Sequence, residues 1–388
     1  MQPTFYEPSD DSFLFSETLK QHIYPEVKHI LDVGVGSGIL TQILQQMYPL
    51  AQVDGIDINE DALAYAKNHT SPHITYFQSD LFEKVTDTYD LIVCNPPYLP
   101  KHHLDPDDML TKALVGGKKG YEYTLKLLQT AKDYLTENGK ILLLLTSLSQ
   151  PDYVLLQAQK LLYEYKLLQK KRVGLMEDLF IYEFTRLHEL SQLEHMGVTH
   201  ITYDTKGKRS IVVQGMYQKK KIVCKIQTRA ELHTIHKEVE NLKKVNALGI
   251  GPKYITHTKS CVILEYIEGK TLKEYMKSTE SLEAKKRLIR NILDELRVLD
   301  VHNLEKTELK NPYKHILIQS PENFRQIDFE RMKTRKNPQN VTQFFQFIMH
   351  SKLIPTVSPN HVTLKNKLQQ YKEYQTDKNF QELISLLN

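Results

Sequence analysis

The segment Asn95-Pro96-Pro97-Tyr98 points most directly to a reaction. Two consecutive prolines stiffen the backbone and remove two amide donors, which leaves carbonyl oxygens free to accept from a ligand. The Asn95 side chain adds another acceptor and a donor, and Tyr98 can stack on a flat group. Two acceptors that bond the hydrogens of a planar NH₂ group would orient the nitrogen lone pair toward an electrophile. Positioning of the two reactants would supply most of the rest of the rate acceleration. Asn95, Pro96 and Tyr98 are therefore candidate catalytic residues for methyl transfer to a planar nitrogen.

A glycine-rich segment with an acid at its start, Asp32-Val33-Gly34-Val35-Gly36-Ser37-Gly38, is the second candidate site. Glycines let a cofactor approach the backbone closely, but such a loop alone fits a dinucleotide fold equally well. The acid inside the strand end favours a cationic, amine-bearing cofactor. Asp57, about 20 residues beyond the glycines, can accept from ribose hydroxyls, and Asp80 can bond an adenine edge. Together with the first segment they predict a site for S-adenosyl-L-methionine, with the candidate ligands Asp32, Gly34, Gly36, Gly38, Asp57, Asp80 and Asn95.

Strands and helices must alternate to bring these segments together. Apolar runs predict five strands, at 28–33, 52–56, 73–77, 90–94 and 140–145. Two further runs, near 166–172 and 179–185, predict a closing antiparallel hairpin. The pattern is typical of an α/β fold with a doubly wound, mostly parallel, seven-stranded sheet. Ligands bind such sheets at the carboxyl ends of the strands, which is where these motifs are expected to lie.

DVGVGSG, Asp57, Asp80 and NPPY in this order resemble the class I methyltransferases. The opening segment YEPSDDSF, residues 6–13, resembles the Y-E-P-[AS]-[DE]-D-[ST]-F segment of the HemK-type protein-glutamine methyltransferases, most of all their short archaeal and eukaryotic branch. The resemblance covers about residues 4–186 and includes Gly116-Gly117 with Gly120.

This resemblance implies a substrate, roles and a partner. The methyl acceptor would be the glutamine of the GGQ loop of a class 1 peptide-chain release factor. Asn95 and the Pro96 carbonyl would hold the glutamine amide, and Asp11 and Ser12 would help to close the cofactor pocket. A small zinc-binding activator protein is the implied partner.

Length and charge divide the 388 residues in two. Residues 1–186 contain 17 Lys and Arg against 25 Asp and Glu, a net charge of −8, and the remainder carries +12. This asymmetry predicts a methyltransferase domain at 1–187, a linker at 188–198 and a second domain at 199–388. A basic half suits phosphate-bearing ligands or RNA, although a solvated lysine-rich surface explains the charge equally well.

Other sequence features indicate the compartment. No apolar run approaches the roughly 20 residues needed to cross a bilayer, and the first residues lack the pattern of a signal peptide. Three scattered cysteines fit neither a disulfide framework nor a zinc site. We therefore expect a cytoplasmic protein without a membrane partner.

The second half predicts an α+β domain. Alternating runs at 201–205, 210–217 and 221–227 predict antiparallel strands, and helices follow at about 230–247 and 281–298. Lys225 ends an apolar strand, Glu238 on the next helix could form its ion pair, and Asp328 follows a short strand and suits Mg²⁺. These three residues resemble the nucleotide-binding set of protein kinases. The segment LGIGP and the strand leading to LEYIEG resemble the RIO-like and related atypical kinases of archaea, which implies a kinase-like domain that binds ATP and Mg²⁺.

The kinase resemblance is incomplete. Gly207 is all that remains of the usual G-x-G-x-x-G, and the catalytic-loop motif H-R-D-x-x-x-x-N is missing. His315 stands where the metal-binding asparagine should be, and Glu308 is the nearest carboxylate for a base. An active atypical kinase, a nucleotide-binding protein without transfer, and a structural or RNA-docking module all stay open.

For the whole chain, the sequence favours a glutamine methyltransferase fused to a nucleotide-binding, kinase-like domain. N6-adenine methylation of nucleic acid also fits, because NPPY suits an exocyclic amine as well. Adenine methylation would require a basic surface near the site, and the net charge of −8 in residues 1–186 argues against it. Protein-lysine methylation by the first half stays open, as does a dominant kinase or scaffold function of the second half.

Overall fold

The computed structural model describes residues 5–207, 210–227, 234–351, 353 and 361–387. The chain forms two compact units, residues 1–196 and 197–388. The segment predicted as a linker, 188–198, contains a helix that lies within the first unit. Among the described helices, none combines the length and apolar character needed to cross a bilayer.

The first unit is organised around one large sheet. Its strands are β1 (His29–Val33), β2 (Gln52–Asp57), β3 (Thr75–Gln78), β4 (Tyr89–Cys94), β5 (Leu99–Pro100), β6 (Val115–Gly117), β7 (Leu135–Thr146), β8 (Tyr163–Val173) and β9 (Glu177–Arg186). Seven of them form a sheet in the order β3-β2-β1-β4-β7-β9-β8. Pairing is parallel from β3 through β7, and β9 is antiparallel to both β7 and β8. This arrangement confirms the predicted mostly parallel sheet with its closing antiparallel hairpin.

Helices cover both faces of this sheet. They are α1 (Asp10–Gln21), α2 (Ile39–Met47), α3 (Glu60–His69), α4 (Met109–Leu114), α5 (Glu122–Ala131), α6 (Pro151–Lys160) and α7 (His188–His195). The sheet is buried on both faces. In β1, Ile30 packs into an apolar cluster on one face, and the next residue, Leu31, packs into a second cluster on the opposite face. Asn59 caps α3 by accepting from the Asp61 amide at 3.0 Å.

The second unit is an α+β structure. Its strands are β10 (Thr199–Lys206), β11 (Ser210–Tyr217), β12 (Lys220–Gln227), β13 (Tyr254–His257), β14 (Cys261–Glu265), β15 (Lys270–Thr271), β16 (Leu304–Glu305), β17 (Ile316–Ser320), β18 (Asn323–Gln326) and β19 (Lys333–Thr334). β10 to β14 form an antiparallel sheet in the order β10-β11-β12-β14-β13, which confirms the predicted antiparallel strands. Gly207 lies in the β10–β11 turn.

Six helices complete the described part of the second unit. They are α8 (Thr234–Asn246), α9 (Leu272–Lys277), α10 (Leu282–Val301), α11 (Asn340–Ser351), α12 (His361–Glu373) and α13 (Asp377–Ile384). The start of the helix predicted near residue 230 lies outside the described residues. Leu288, Ile292 and Leu296 form a buried stripe on α10 at helical spacing, and they belong to the same core cluster as Phe344 and Ile348 of α11.

Candidate active site

A cavity of about 310 Å³ opens at the carboxyl ends of β1, β2 and β4. Predicted site residues on its wall are Ser12, Gly34, Gly36, Asp57, Asp80 and Asn95. Parallel strands bring these segments to one edge although they are far apart in sequence. The predicted ligands Asp11, Asp32 and Gly38, and the candidate catalytic residues Pro96 and Tyr98, are not among the residues that line it.

The glycine segment forms the turn between β1 and α2. Gly38 caps α2 in the left-handed region, with φ of 84°. A Cβ at this position would stand 2.9 Å from a Thr70 methyl group and 3.0 Å from the Ala66 Cβ. Both the φ angle and the limited space therefore favour glycine. Gly38 determines the conformation of the loop but does not line the cavity. Gly34 and Gly36 reach the cavity.

Two carboxylates lie on the cavity wall. The Asp57 carboxylate accepts from the amides of Gly36 at 3.0 Å and Asn59 at 2.9 Å. Burial raises the pKa of Asp57, and the two amide bonds act in the opposite direction. The Asp80 carboxylate stands 3.5 Å from the Lys126 ammonium. Both are acceptors, as ribose hydroxyls and an adenine amine require.

Asp32 lies beneath this wall. It is 1% exposed, and its Oδ2 accepts from the Thr41 hydroxyl at 2.5 Å. Its Oδ1 is buried without a hydrogen-bond partner among the described residues. Burial raises the pKa of Asp32 to about 7. Its role as a direct cofactor ligand stays a prediction.

Asn95 lines the cavity and carries an unused acceptor. Its Nδ2 donates to the Asp11 carboxylate at 3.1 Å, and its Oδ1 is buried without a partner in the described part of the chain. A buried acceptor without a donor is costly, so a ligand N–H is the natural partner. The Tyr98 hydroxyl also donates to Asp11, at 3.3 Å.

The backbone of the NPPY segment rests on a second glycine segment. The Tyr98 amide donates to the Leu114 carbonyl at 3.0 Å, and β5 pairs in parallel with β6. A Cβ at Gly116 would collide with the carbonyl oxygens of Pro97 and Gly120, and one at Gly120 would collide with the carbonyl of Tyr98. The close approach of these two segments therefore requires glycine.

The second unit brings three predicted site residues together. The Lys225 ammonium stands 2.5 Å from Glu238 and 3.2 Å from Asp328. Burial opposes the lysine charge, but the two carboxylates raise the pKa of Lys225 and keep it protonated. His315 Nδ1 lies 3.4 Å from the other Asp328 oxygen. Although burial opposes ionisation, the His315 bond and the Lys225 charge hold the pKa of Asp328 well below its usual range.

Lys306 supports this cluster and was missed from the sequence. Its side chain is fully buried, and Nζ donates to the carbonyls of Ile327 and Asp328. Asp328 itself has φ of 71°, a left-handed conformation that is strained in a residue with a side chain. Burial lowers the pKa of Lys306 to about 8. An isolated lysine between polar neighbours gives no sequence signal for such a position.

Glu308, the candidate base, accepts from the adjacent Thr307 hydroxyl at 3.0 Å. Its Oε2 is buried without a partner among the described residues. Within those residues, no group of three or more His, Cys, Asp and Glu side chains is placed to hold a metal ion. Mg²⁺ binding at Asp328 stays a prediction.

Comparison with known proteins agrees with the geometry of the first unit. The methyltransferase small domain family matches residues 10–171. A relative from Methanocaldococcus jannaschii, named as a protein N5-glutamine methyltransferase, is 35% identical over 153 residues, which are 38% of this chain and 76% of the relative. The chain belongs to the protein N5-glutamine methyltransferase family. Its first unit has the fold of an S-adenosylmethionine-dependent methyltransferase.

Other similar proteins are more distant in sequence or have longer chains. The release factor glutamine methyltransferase of Aliivibrio fischeri is 29% identical over 37% of this chain, and that of Geobacter sulfurreducens is 33% identical over 34%. The chain spans about half the length of these bacterial relatives, 54% and 49%. A solved structure of the E. cuniculi Mtq2–Trm112 complex, described as responsible for methylation of the termination factor eRF1, has 25% identity and a TM-score of 0.39. It covers 47% of this chain and 99% of that chain.

Proposed function

We propose that the first unit methylates the side-chain amide of a protein glutamine, and that this glutamine lies in the GGQ loop of a peptide-chain release factor. The observation that carries the proposal is the side chain of Asn95, which lines the cavity and whose buried Oδ1 has no partner among the described residues. The names of the bacterial relatives support the release factor as substrate.

The chain's residues serve the reaction by holding both reactants. The backbone at Gly34 and Gly36 and the carboxylates of Asp57 and Asp80 would bind S-adenosylmethionine, which supplies an electrophilic methyl group when bound. Asn95 Oδ1 would accept one amide hydrogen of the glutamine, and the Pro96 carbonyl the other. The nitrogen lone pair then points away from both acceptors. The proton can leave after methyl transfer, so a base with a shifted pKa is not required.

A labelling experiment tests this proposal. Methyl-labelled S-adenosylmethionine is incubated with the protein, release factor, total RNA and ribosomal protein uL3. The last is the substrate named for a Bordetella pertussis relative that is 33% identical over 30% of this chain. We expect label in the release factor, loss of label with Asn95→Ala, and unchanged label with Asn68→Ala, an exposed asparagine on α3. Label in RNA alone would favour adenine methylation, and label in uL3 alone would move the substrate to the ribosome; both outcomes contradict the proposal.

We also propose a small zinc-binding activator protein as a partner of the first unit, on the strength of the resemblance of residues 4–186 to the short branch. Co-expression with such a protein should raise methyl transfer to the release factor. Equal transfer with and without it would argue against the partner.

For the second unit we propose nucleotide binding without phosphate transfer. Lys225, held between Glu238 and Asp328, is the kind of cation that pairs with nucleotide phosphates in kinases. A kinase carries its catalytic aspartate five residues before the position that His315 occupies. In this chain the residue at that position is Lys310, which is exposed. A carboxylate to accept a substrate proton is therefore lacking at that position.

ATP-dependent thermal stabilisation of the full chain tests nucleotide binding. With Mg²⁺ present, ATP should raise the melting temperature of the wild type and of Lys220→Met, an exposed lysine on the same strand. The increase should vanish in Lys225→Met and Asp328→Ala. No stabilisation of the wild type would favour a structural or RNA-docking module, and phosphate transfer from labelled ATP would show an active kinase; either result contradicts the proposal.

A further inference from the structure

Asp11, at the start of α1, is the centre of a buried hydrogen-bond network. It is 3% exposed, and its Oδ1 accepts from the Ser12 amide at 2.6 Å, the Ser12 hydroxyl at 3.3 Å and the Tyr6 hydroxyl at 2.9 Å. Its Oδ2 accepts from Asn95 Nδ2 at 3.1 Å and from the Tyr98 hydroxyl at 3.3 Å. Five donor groups therefore meet one carboxylate, 84 residues away in sequence from Asn95.

We propose that Asp11 is a positioning residue that fixes which end of the Asn95 amide faces the methyl acceptor. An ionised carboxylate accepts hydrogen bonds and donates none. Only Nδ2 of Asn95 can face it, so Oδ1 points away from the carboxylate. Ser12 lines the cavity and Asp11 does not, so the carboxylate acts from behind Asn95 and not on the cofactor itself.

The reversed amide would oppose the reaction. It would set Oδ1 against the Asp11 carboxylate and direct Nδ2 at the NH₂ group of the substrate, so that donor meets donor. Asn and Gln amides are close to symmetric in shape, and packing alone discriminates poorly between the two orientations. The charge of Asp11 supplies the discrimination.

The hydroxyl groups of Tyr6 and Tyr98 remain hydrogen-bond donors to Asp11. Burial, followed by the Asp11 charge, raises the pKa values of Tyr6 and Tyr98. Both hydroxyls therefore stay protonated over the range in which proteins are usually assayed. Because these hydroxyls donate to the other acceptor sites of the carboxylate, they hold Asp11 in place, and its Oδ2 has a fixed position relative to Asn95.

Asp11→Asn is the informative substitution. Its amide has nearly the same shape but offers a donor and an acceptor, so Asn95 is no longer held in one orientation. Asp10→Asn is the matched control, because it changes the same charge at the adjacent, exposed position. This inference rests on the proposed glutamine methylation, and two measurements keep the two claims separable.

The first measurement is steady-state methylation with calorimetric binding of S-adenosylhomocysteine. We expect Asp11→Asn to lower kcat about 10²-fold, with affinity for S-adenosylhomocysteine within about threefold of wild type and Asp10→Asn unchanged. Wild-type kcat in Asp11→Asn, or a loss of S-adenosylhomocysteine binding as large as the loss of kcat, would overturn the inference.

The second measurement needs no methyl acceptor. In full-length protein labelled with ¹⁵N at asparagine, the side-chain amide signals of Asn95 are identified by their absence in Asn95→Ala. They should move in Asp11→Asn and stay in place in Asp10→Asn. Unmoved signals in Asp11→Asn would sink the positioning role whether or not a release factor is the substrate.

Discussion

Replacement of Asp32 by asparagine should remove a pH-dependent cost to the stability of the first unit. Burial raises the pKa of Asp32 from 3.8 to about 7, and the Thr41 hydroxyl bond offsets this only in part. In the unfolded chain the carboxyl group titrates near its ordinary value, so between about pH 4 and about pH 7 the folded state binds more protons than the unfolded state. The stability of the wild type therefore falls as the pH rises through this window. A pKa difference of about 3 corresponds to about 4 kcal/mol at most.

The slope of stability with pH separates this effect from a plain loss of packing. Asparagine at position 32 can still accept from Thr41, but its NH₂ group would lie where Asp32 Oδ1 has no partner among the described residues. That adds a penalty of about 1–3 kcal/mol, which does not vary with pH.

Scanning calorimetry of the full chain between about pH 5 and about pH 8 measures this slope. The melting temperature of the first unit should fall with pH by up to about 10 °C more in the wild type than in Asp32→Asn. Asp133→Asn, at an exposed acid of the same unit, should follow the wild type. Parallel curves for wild type and Asp32→Asn would refute the buried, proton-binding carboxyl group.

Two further substitutions test the supports of the two sites. Gly116→Ala should lower stability by about 1–3 kcal/mol and methyl transfer by more than tenfold, because its Cβ collides with the Pro97 carbonyl; wild-type turnover in this variant would show that the close approach is dispensable. Lys306→Met should lower the unfolding free energy of the second unit by about 1–3 kcal/mol, since the carbonyls of Ile327 and Asp328 lose their common donor. An unchanged urea midpoint for Lys306→Met would contradict that role.

The sheet of the first unit was predictable because its pattern is local. Each strand is a short apolar run, and the candidate site residues lie at the strand ends. Asp57, Asp80 and Asn95 could therefore be assigned to the edge of the sheet at the carboxyl ends of its strands. The antiparallel hairpin of β8 and β9 was visible as two runs separated by a short turn. The first three strands of the second unit followed from the same kind of alternation.

The orientation of side chains could not be read from these patterns. Asp32 belongs to the predicted cofactor motif, but side chains alternate along a strand, and its carboxylate is buried against Thr41. The bond between Asp11 and Asn95 joins residues 84 positions apart, and no local pattern encodes it. Lys306 likewise acquires its role only when the chain folds back to place Ile327 and Asp328 against its ammonium group.

The central claim is that a glutamine side-chain amide receives the methyl group, and peptide mass spectrometry tests it most directly. Release factor incubated with the full chain, S-adenosylmethionine and the activator protein is digested, and the GGQ-containing peptide is fragmented. We expect one added methyl group on that glutamine, absent with Asn95→Ala. Unmodified glutamine, with the methyl group on a lysine or in RNA, would contradict the claim.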